Sequence, residues 1–336
     1  MAGNQHVSIP VDPSSAGTSS EGIIKAPDGL DLYFKRYHPS SPSPPALSVV
    51  FVHGFVEYIA RYEAAFPAFS ARGIELIAFD QRGFGQTAQK APGGWGKHYT
   101  TTNWPQQFMD VQAVVVEQRK YLDDKFGRDK VPIYLLGHSM GGGISIAVFT
   151  RDASSPEHKD LEQLRTIVKG VAASSPWLTL TKPAPSVITA LAPYLIKVFP
   201  NLKYPVDLKA EELTRDPAGQ EAWRKDPMIQ PWVKAVSAFG PLKGGEDIVA
   251  NKWKNWDTSK PLLIAHGEDD GVTSYKGSNT LVKKIQEGVQ GANVEYKGFE
   301  GGKHEMMFDL DKEQFTNYII DWLHKQAAEG VKTQAA

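Results

Sequence analysis

A serine hydroxyl attacks a carbonyl at neutral pH only when a base stands ready for its proton and an acid orients that base. The segment Gly137-His138-Ser139-Met140-Gly141 could supply such a nucleophile. It follows the apolar residues 133–136 and precedes Gly142, Gly143 and a second apolar run, so Ser139 falls on a sharp strand-to-helix turn. That turn lifts the hydroxyl into the open, and its glycines stand where side chains would collide with the neighbouring strand and helix. The start of a helix also favours developing negative charge.

Two later segments offer the acid and the base. His266-Gly267-Glu268-Asp269-Asp270 follows the expected strand 261–265, and Gly301-Gly302-Lys303-His304 follows the expected strand Val294–Phe299. Both lie at strand carboxyl ends, on the sheet edge that also carries Ser139, where open α/β sheets place their sites. Nine histidines compete for the role of base. His138 adjoins Ser139 on a tight turn where neighbouring side chains diverge, and His53 sits in a turn where an imidazole satisfies loop backbone. His6, His38, His158 and His324 read as surface residues, and His304, after the last expected strand, is the expected base. Asp269 and Asp270 are adjacent, so spacing alone does not choose the acid. The oxyanion formed by attack needs backbone N–H donors, expected from Met140 and, in the turn His53-Gly54-Phe55, from Phe55.

The elements that must hold these residues are legible from their periodicity. Leu30, Leu32 and Phe34 alternate with Asp31, Tyr33 and Lys35 after Asp28-Gly29, which reads as a hairpin, and a Pro-rich linker spans 39–45. Leu47–Val52 is a continuous apolar run, as a parallel strand covered on both faces requires, and 75–79 is the next. Val111, Val114, Val115 and Leu122 keep helical spacing within 106–126. Strands at 131–136, 167–172, 261–265 and Val294–Phe299 and a closing helix near 313–325 complete a mostly parallel sheet with helices on both faces. The alternation breaks over 177–256, which looks inserted. Five of the eight tryptophans (Trp177, Trp223, Trp232, Trp253 and Trp256) fall there, suiting a small helical core or an apolar cover over a site. The expected division is an arm over 1–20, a core over 21–176 and 257–328, a cap over 177–256 and a flexible tail over 329–336.

Composition excludes several function classes. The 336 residues carry 37 Lys and Arg against 38 Asp and Glu, leaving no positive excess to hold nucleic acid. With no cysteine there is no disulfide framework and no thiolate nucleophile or metal ligand, which favours an intracellular, cytoplasmic home. The N-terminal residues lack a signal-peptide pattern, Ala2 lacks the myristoylation pattern, and no run reaches the roughly 18 apolar residues that span a bilayer.

Taken together, His53-Gly54-Phe55-Val56-Glu57-Tyr58 with Arg61-Tyr62, Asp80-Gln81-Arg82-Gly83-Phe84-Gly85, Gly137-His138-Ser139-Met140-Gly141-Gly142 and His266-Gly267-Glu268-Asp269-Asp270 resemble the monoacylglycerol lipases, particularly the fungal branch. The likeness runs from about Gly22 to Lys325. It implies the α/β-hydrolase fold of the serine aminopeptidase S33-like hydrolases, with a mostly parallel eight-stranded sheet and a helical cap or lid. It also implies Asp270 as the acid, because the family's acid ends His-Gly-x-x-Asp, and it places Glu57 and Arg61 near the glycerol end of the site, where the alternative is a structural salt bridge. The implied substrate is monoacylglycerol, cleaved without metal or organic cofactor. The cap would carry apolar surface (Pro193, Tyr194, Leu195, Ile196, Val198, Phe199) toward membrane or lipid droplet. Val56 and Thr87 depart from the family's usual Gly and Ser. A carboxylesterase or lysophospholipase, a serine aminopeptidase and a silent binding protein on the same fold are the rival readings.

Overall fold

The computed structural model describes residues 17–335 apart from 42, 153, 156–159, 200 and 207. Ten strands are present among them: β1 (Ser19–Lys25), β2 (Asp31–Tyr37), β3 (Leu47–Val52), β4 (Ile74–Phe79), β5 (Ile133–His138), β6 (Val168–Ser174), β7 (Lys203–Pro205), β8 (Trp232–Lys234), β9 (Leu262–Gly267) and β10 (Val294–Phe299). Eight of them form one sheet in the order β1-β2-β4-β3-β5-β6-β9-β10. Within it β2 alone runs against the others, pairing antiparallel with β1 and β4. This is the α/β-hydrolase fold.

The central strands are apolar almost throughout because both faces of the sheet are covered. Along β3, Val50 and Val52 join the core beneath the helices Trp104–Phe126 and Met140–Thr150. Val49 and Phe51 join the opposite core, beside Phe66, Phe69 and Phe315. The period of two along the strand thus feeds two separate hydrophobic layers. Burying each large aliphatic or aromatic side chain contributes about 1.5–3 kcal/mol, which makes these layers the main favourable term in folding.

Topology brings the chemistry together. β3 and β5 are parallel neighbours with Val52 opposite Gly137, and β9 lies between β6 and β10. The turns after β3, β5, β9 and β10 therefore all leave the same edge of the sheet.

Between β6 and β9 the chain forms the helices Ser186–Val198, Pro217–Lys225 and Ala235–Ala250 and the antiparallel ribbon β7–β8. Trp223 packs with Ala210 and Leu213 in a small core of its own, whereas Trp177 and Trp256 belong to the main one. Two element ends differ from expectation. β1 opens at Ser19, inside the stretch expected to be an unstructured arm, because Ser19 and Ser20 pair with Tyr37 and Arg36. The closing helix runs Lys312–Ala335, through the segment expected as a tail, continuing from Ala327 and Ala328, which are strong helix formers. The rest of the expected arm, residues 1–16, lies outside the described residues, as do His6 and His158. No helix among the described residues is long and apolar enough to cross a membrane.

Candidate active site

Ser139 sits between β5 and the helix Met140–Thr150 with φ 50° and ψ −116°, a region that side chains rarely enter and that marks strain held at a functional turn. Hydrogen bonds pin the turn: Ser139 N–H donates to the Ser174 carbonyl at 2.9 Å, and Trp177 N–H donates to the Ser139 carbonyl at 2.8 Å. The turn is also sterically closed to larger residues, since a Cβ on Gly141 would lie 2.0 Å from the Val52 carbonyl oxygen.

The serine Oγ lies 3.0 Å from His304 Nε2, and His304 Nδ1 lies 2.8 Å from Asp270 Oδ2. All three are nearly buried. Asp270 Oδ1 accepts from the Val272 and Thr273 N–H groups at 2.7 and 2.9 Å, which turns the carboxylate inward. Asp269, next to it, points out and pairs with Lys303 at the surface. Burial raises the Asp270 pKa, but the charge of His304 and the hydrogen bonds from His266 and His304 outweigh it and hold the carboxyl well below the usual range. Burial likewise works against a charged His304, yet the Asp270 carboxylate prevails and lifts its pKa above the ordinary value. The geometry can therefore move a proton from Ser139 to His304 and stabilise the resulting imidazolium.

Phe55 occupies the turn after β3 and Met140 opens the helix after β5, and the Phe55 ring packs edge-on against Phe84 and Trp177. Val56, the next residue, is buried with φ 62°. His53 satisfies backbone: its Nε2 accepts from Gln81 N–H at 2.9 Å and its Nδ1 donates to the Gly54 carbonyl at 2.8 Å.

Glu57 accepts from Gly54 N–H, from the Tyr62 hydroxyl at 2.9 Å and from Arg61 at 3.0 Å. Arg61 in turn grips Glu305 through two bonds of 2.8 Å and lies over the Trp223 and Phe308 rings. Burial lifts the Glu57 carboxyl to about 7 against the pull of Arg61. Burial also disfavours the Arg61 charge, but Glu305 and Glu57 hold it firmly protonated. The cluster ties the turn after β3 to the residue that follows His304.

Three neighbours carry no signal of their role in the sequence, or only a partial one. Glu305 adjoins His304, but its bond to Arg61 spans 244 residues and has no local mark. His266 stands inside a motif, yet only the structure places its ring on Asp270. His138 lines the same cavity as Ser139, and its ring lies 4.9 Å from that of His304; burial first, and then the charge of His304, keep it neutral.

Above Ser139 opens a cavity of about 430 Å³. Gly54, Ser139 and His304 form its floor, and Trp177, Phe239 and Leu242 are among its apolar walls. Glu57 and Glu305 also line it, which gives a mostly apolar space an acidic corner.

Comparison with known proteins agrees with this arrangement. Residues 43–311 match the family model described as serine aminopeptidase, S33. A Schizosaccharomyces pombe protein provisionally named monoglyceride lipase is 30% identical over 314 residues, covering 90% of this chain and 74% of its own. The monoglyceride lipase of Saccharomyces cerevisiae is 27% identical over 299 residues, 84% of this chain and 86% of that one. A crystal structure of a soluble variant of the Saccharomyces cerevisiae enzyme with a substrate analog superposes with a TM-score of 0.75 at 23% identity, over 92% of this chain and 95% of that one, a likeness of fold. With four-fifths of its length inside the family model, the chain belongs to the serine aminopeptidase S33 family of α/β-hydrolases.

Proposed function

We propose that the chain is a serine ester hydrolase that cleaves monoacylglycerol to fatty acid and glycerol through an acyl-enzyme. The observation that carries this reading is the 3.0 Å approach of Ser139 Oγ to His304 Nε2 at the floor of an apolar cavity. Ser139 Oγ attacks the ester carbonyl carbon as His304 Nε2 takes its proton, and Asp270 holds the imidazolium through Nδ1. The N–H groups of Phe55 and Met140 receive the oxyanion, each such donor contributing about 2.7–4 kcal/mol of transition-state stabilisation. Collapse expels the glycerol alkoxide, which takes the proton from His304. Water then attacks the acyl-enzyme, His304 again accepts and returns a proton, and the fatty acid leaves with Ser139 restored. Side chains and backbone serve every step, with no metal or organic cofactor.

The apolar walls suit an acyl chain, while the polar corner at Glu57 and Glu305, both held by Arg61, suits a small hydroxylated leaving group. Residues 177–256 act as the cap. Its helix Ser186–Val198 exposes Leu191, Tyr194, Leu195 and Val198, followed by Phe199, an apolar row fitted to a membrane or lipid-droplet surface inside the cell. The names of the similar proteins from both yeasts support the substrate class.

The test is hydrolysis of a long-chain monoacylglycerol beside matched di- and triacylglycerols and a short p-nitrophenyl ester, with Ser139→Ala as control. Selective turnover of the monoacylglycerol, lost in the variant, supports the reading. Turnover of the short ester alone keeps the nucleophile and removes the substrate, and wild-type turnover by Ser139→Ala removes the mechanism.

A further inference from the structure

His266, the penultimate residue of β9, is fully buried behind Asp270. Its Nε2 lies 2.9 Å from Asp270 Oδ2 and 3.2 Å from the Thr273 carbonyl oxygen. A carboxylate and a carbonyl can only accept, so Nε2 carries the hydrogen. On the other side of the ring, Nδ1 lies 3.0 Å from the Ser278 hydroxyl on the helix Tyr275–Gly288, which can donate to it. The tautomer is set from both sides. Asp270 Oδ2 thus meets two imidazoles, His304 Nδ1 at 2.8 Å and His266 Nε2 at 2.9 Å. The five groups Ser278, His266, Asp270, His304 and Ser139 form one continuous chain of contacts.

We infer that His266 is a positioning residue for the hydrolytic site: its Nε2–H fixes the rotamer of Asp270 and shares the carboxylate's charge with His304. The inference rests on the reading of His304 as the base for Ser139. The Thr273 hydroxyl, 2.9 Å from Oδ2, is the remaining side-chain donor besides His304; without His266 the carboxylate can rotate about its Cβ–Cγ bond while still holding His304 Nδ1, which turns Nε2 off the line to Ser139. The charge-sharing has a sign. Without His266, Oδ2 is less satisfied, binds the His304 imidazolium more tightly and makes His304 harder to deprotonate. The other titratable and charged groups facing His304 are His138 at the end of β5, Glu57 and Arg61 after β3, and Glu305 beside it in the chain. None of them contacts His266 directly through a hydrogen bond among the described residues.

The experiment compares His266→Leu, His266→Asn and His266→Gln on a short soluble p-nitrophenyl ester, reading kcat, KM and the pH profile of kcat/KM, with thermal unfolding to check folding. A Gln amide nitrogen can reach the position of Nε2, whereas that of Asn reaches only the position of Nδ1. Expected for Leu and Asn is a fall in kcat of about tenfold or more, the scale of losing one hydrogen bond to a charged group. KM should stay near wild type, and the acid limb should move to higher pH. Gln should restore both rate and profile. A pH profile identical to wild type in folded Leu and Asn variants overturns the inference, as does a Gln variant no better than Asn. If Leu fails to fold, the Asn and Gln pair decides. Ser139→Ala, run alongside, separates the two layers: an unaffected His266 series with an inactive serine variant removes only the positioning role, whereas an active serine variant removes the underlying reading.

Discussion

Gly54 stands so close to Ser139 that a Cβ on the glycine would lie 3.0 Å from the serine's own Cβ. The same Cβ would come 2.6 Å from Glu57 Oε1, and that carboxylate cannot swing away without releasing Tyr62 and Arg61. Gly54→Ala should therefore push the turn after β3 outward and carry the Phe55 N–H off the oxyanion position. The expected result is a loss of about a hundredfold in kcat, the scale of removing one oxyanion donor, with the protein still folded. Steady-state kinetics beside a thermal melt would check this, and a folded Gly54→Ala variant with wild-type kcat would contradict it.

The two adjacent aspartates should separate sharply. Asp270 is buried and bonded to two imidazoles and two backbone amides, whereas Asp269 is 65% exposed in its side chain and holds only Lys303. Asp270→Asn leaves His304 facing an amide and should lower kcat by about 10⁴, as the loss of an orienting acid does elsewhere. Asp269→Asn removes a surface ion pair of at most about 1 kcal/mol and should leave kcat within about twofold. Kinetics of the two variants in parallel decide it; the reverse ranking would mean that the acid is misassigned.

The pH dependence carries a sign that can be tested at Glu57. His304 must be neutral to accept the serine proton, so kcat/KM falls as pH drops through its pKa, which lies above the ordinary histidine value. Glu57 is among the negative charges that raise it. Glu57→Gln keeps an acceptor for Gly54 N–H but removes that charge, and the acid limb should move to lower pH. Because the Glu57 carboxyl itself titrates at about 7, the displacement should be largest in the upper part of the limb. Profiles of both proteins over about pH 5 to 8 would show it. A limb that stays in place or moves upward would remove Glu57 from the electrostatics of the site.

How much of the fold and the site is legible in the amino-acid sequence depends on how local each signal is. β3 is legible because Leu47, Val49, Val50, Phe51 and Val52 form a nearly unbroken apolar run that has no comfortable placement except in a strand covered on both faces. The order of Ser139, Asp270 and His304 is legible because Ser139 follows such a run directly, Asp270 lies three residues past another and His304 five residues past Val294–Phe299. The choice between Asp269 and Asp270 is not legible from spacing, since it is made by the N–H groups of Val272 and Thr273, which donate to one side chain and leave its neighbour in solvent. The ribbon β7–β8 gives no sign of itself: three residues pair with three others nearly thirty positions away, with no tight turn between them. Thr87, which departs from the family's usual Ser, proves neutral in its bonds, donating to the Asp80 carbonyl and accepting from Tyr33 N–H as a serine could.

Val56 departs from the family's usual Gly at a position with φ 62°, where a β-branched side chain costs about 1–3 kcal/mol of backbone strain. Its burial, at 2% exposure, contributes about 1.5–3 kcal/mol and offsets that strain. Val56→Ala gives up most of the packing while keeping a Cβ in the left-handed region, whereas Val56→Gly also relaxes the backbone. Glycine should then be at least as stable as alanine here, against the usual order in which it costs about 0.5–1 kcal/mol more. Urea midpoints of the two variants would test the inversion, and a glycine variant about 1 kcal/mol below the alanine one would show the backbone to be unstrained.

The cap helix Ser186–Val198 lies with one face toward the cavity and packs beside the helix Ala235–Ala250, leaving an apolar row on its outer face. Thr189 and Ala192 line the cavity, while Leu191, Tyr194, Leu195 and Val198 face outward, with Tyr194 at 73% exposure. A helix apolar on opposite sides is ordinarily buried on both, so the outer row needs a cover, and beside the mouth of a cavity suited to acyl chains that cover would be lipid. Tyr194→Ser combined with Phe199→Ser removes the two exposed rings from this stretch without touching the cavity floor. Co-sedimentation with phosphatidylcholine vesicles should fall, and with it turnover of a long-chain ester presented in those vesicles. Hydrolysis of a short soluble ester should be unchanged. If both substrates decline together the cap has been disordered, and if vesicle binding persists at the wild-type level the outer row is not what meets the lipid.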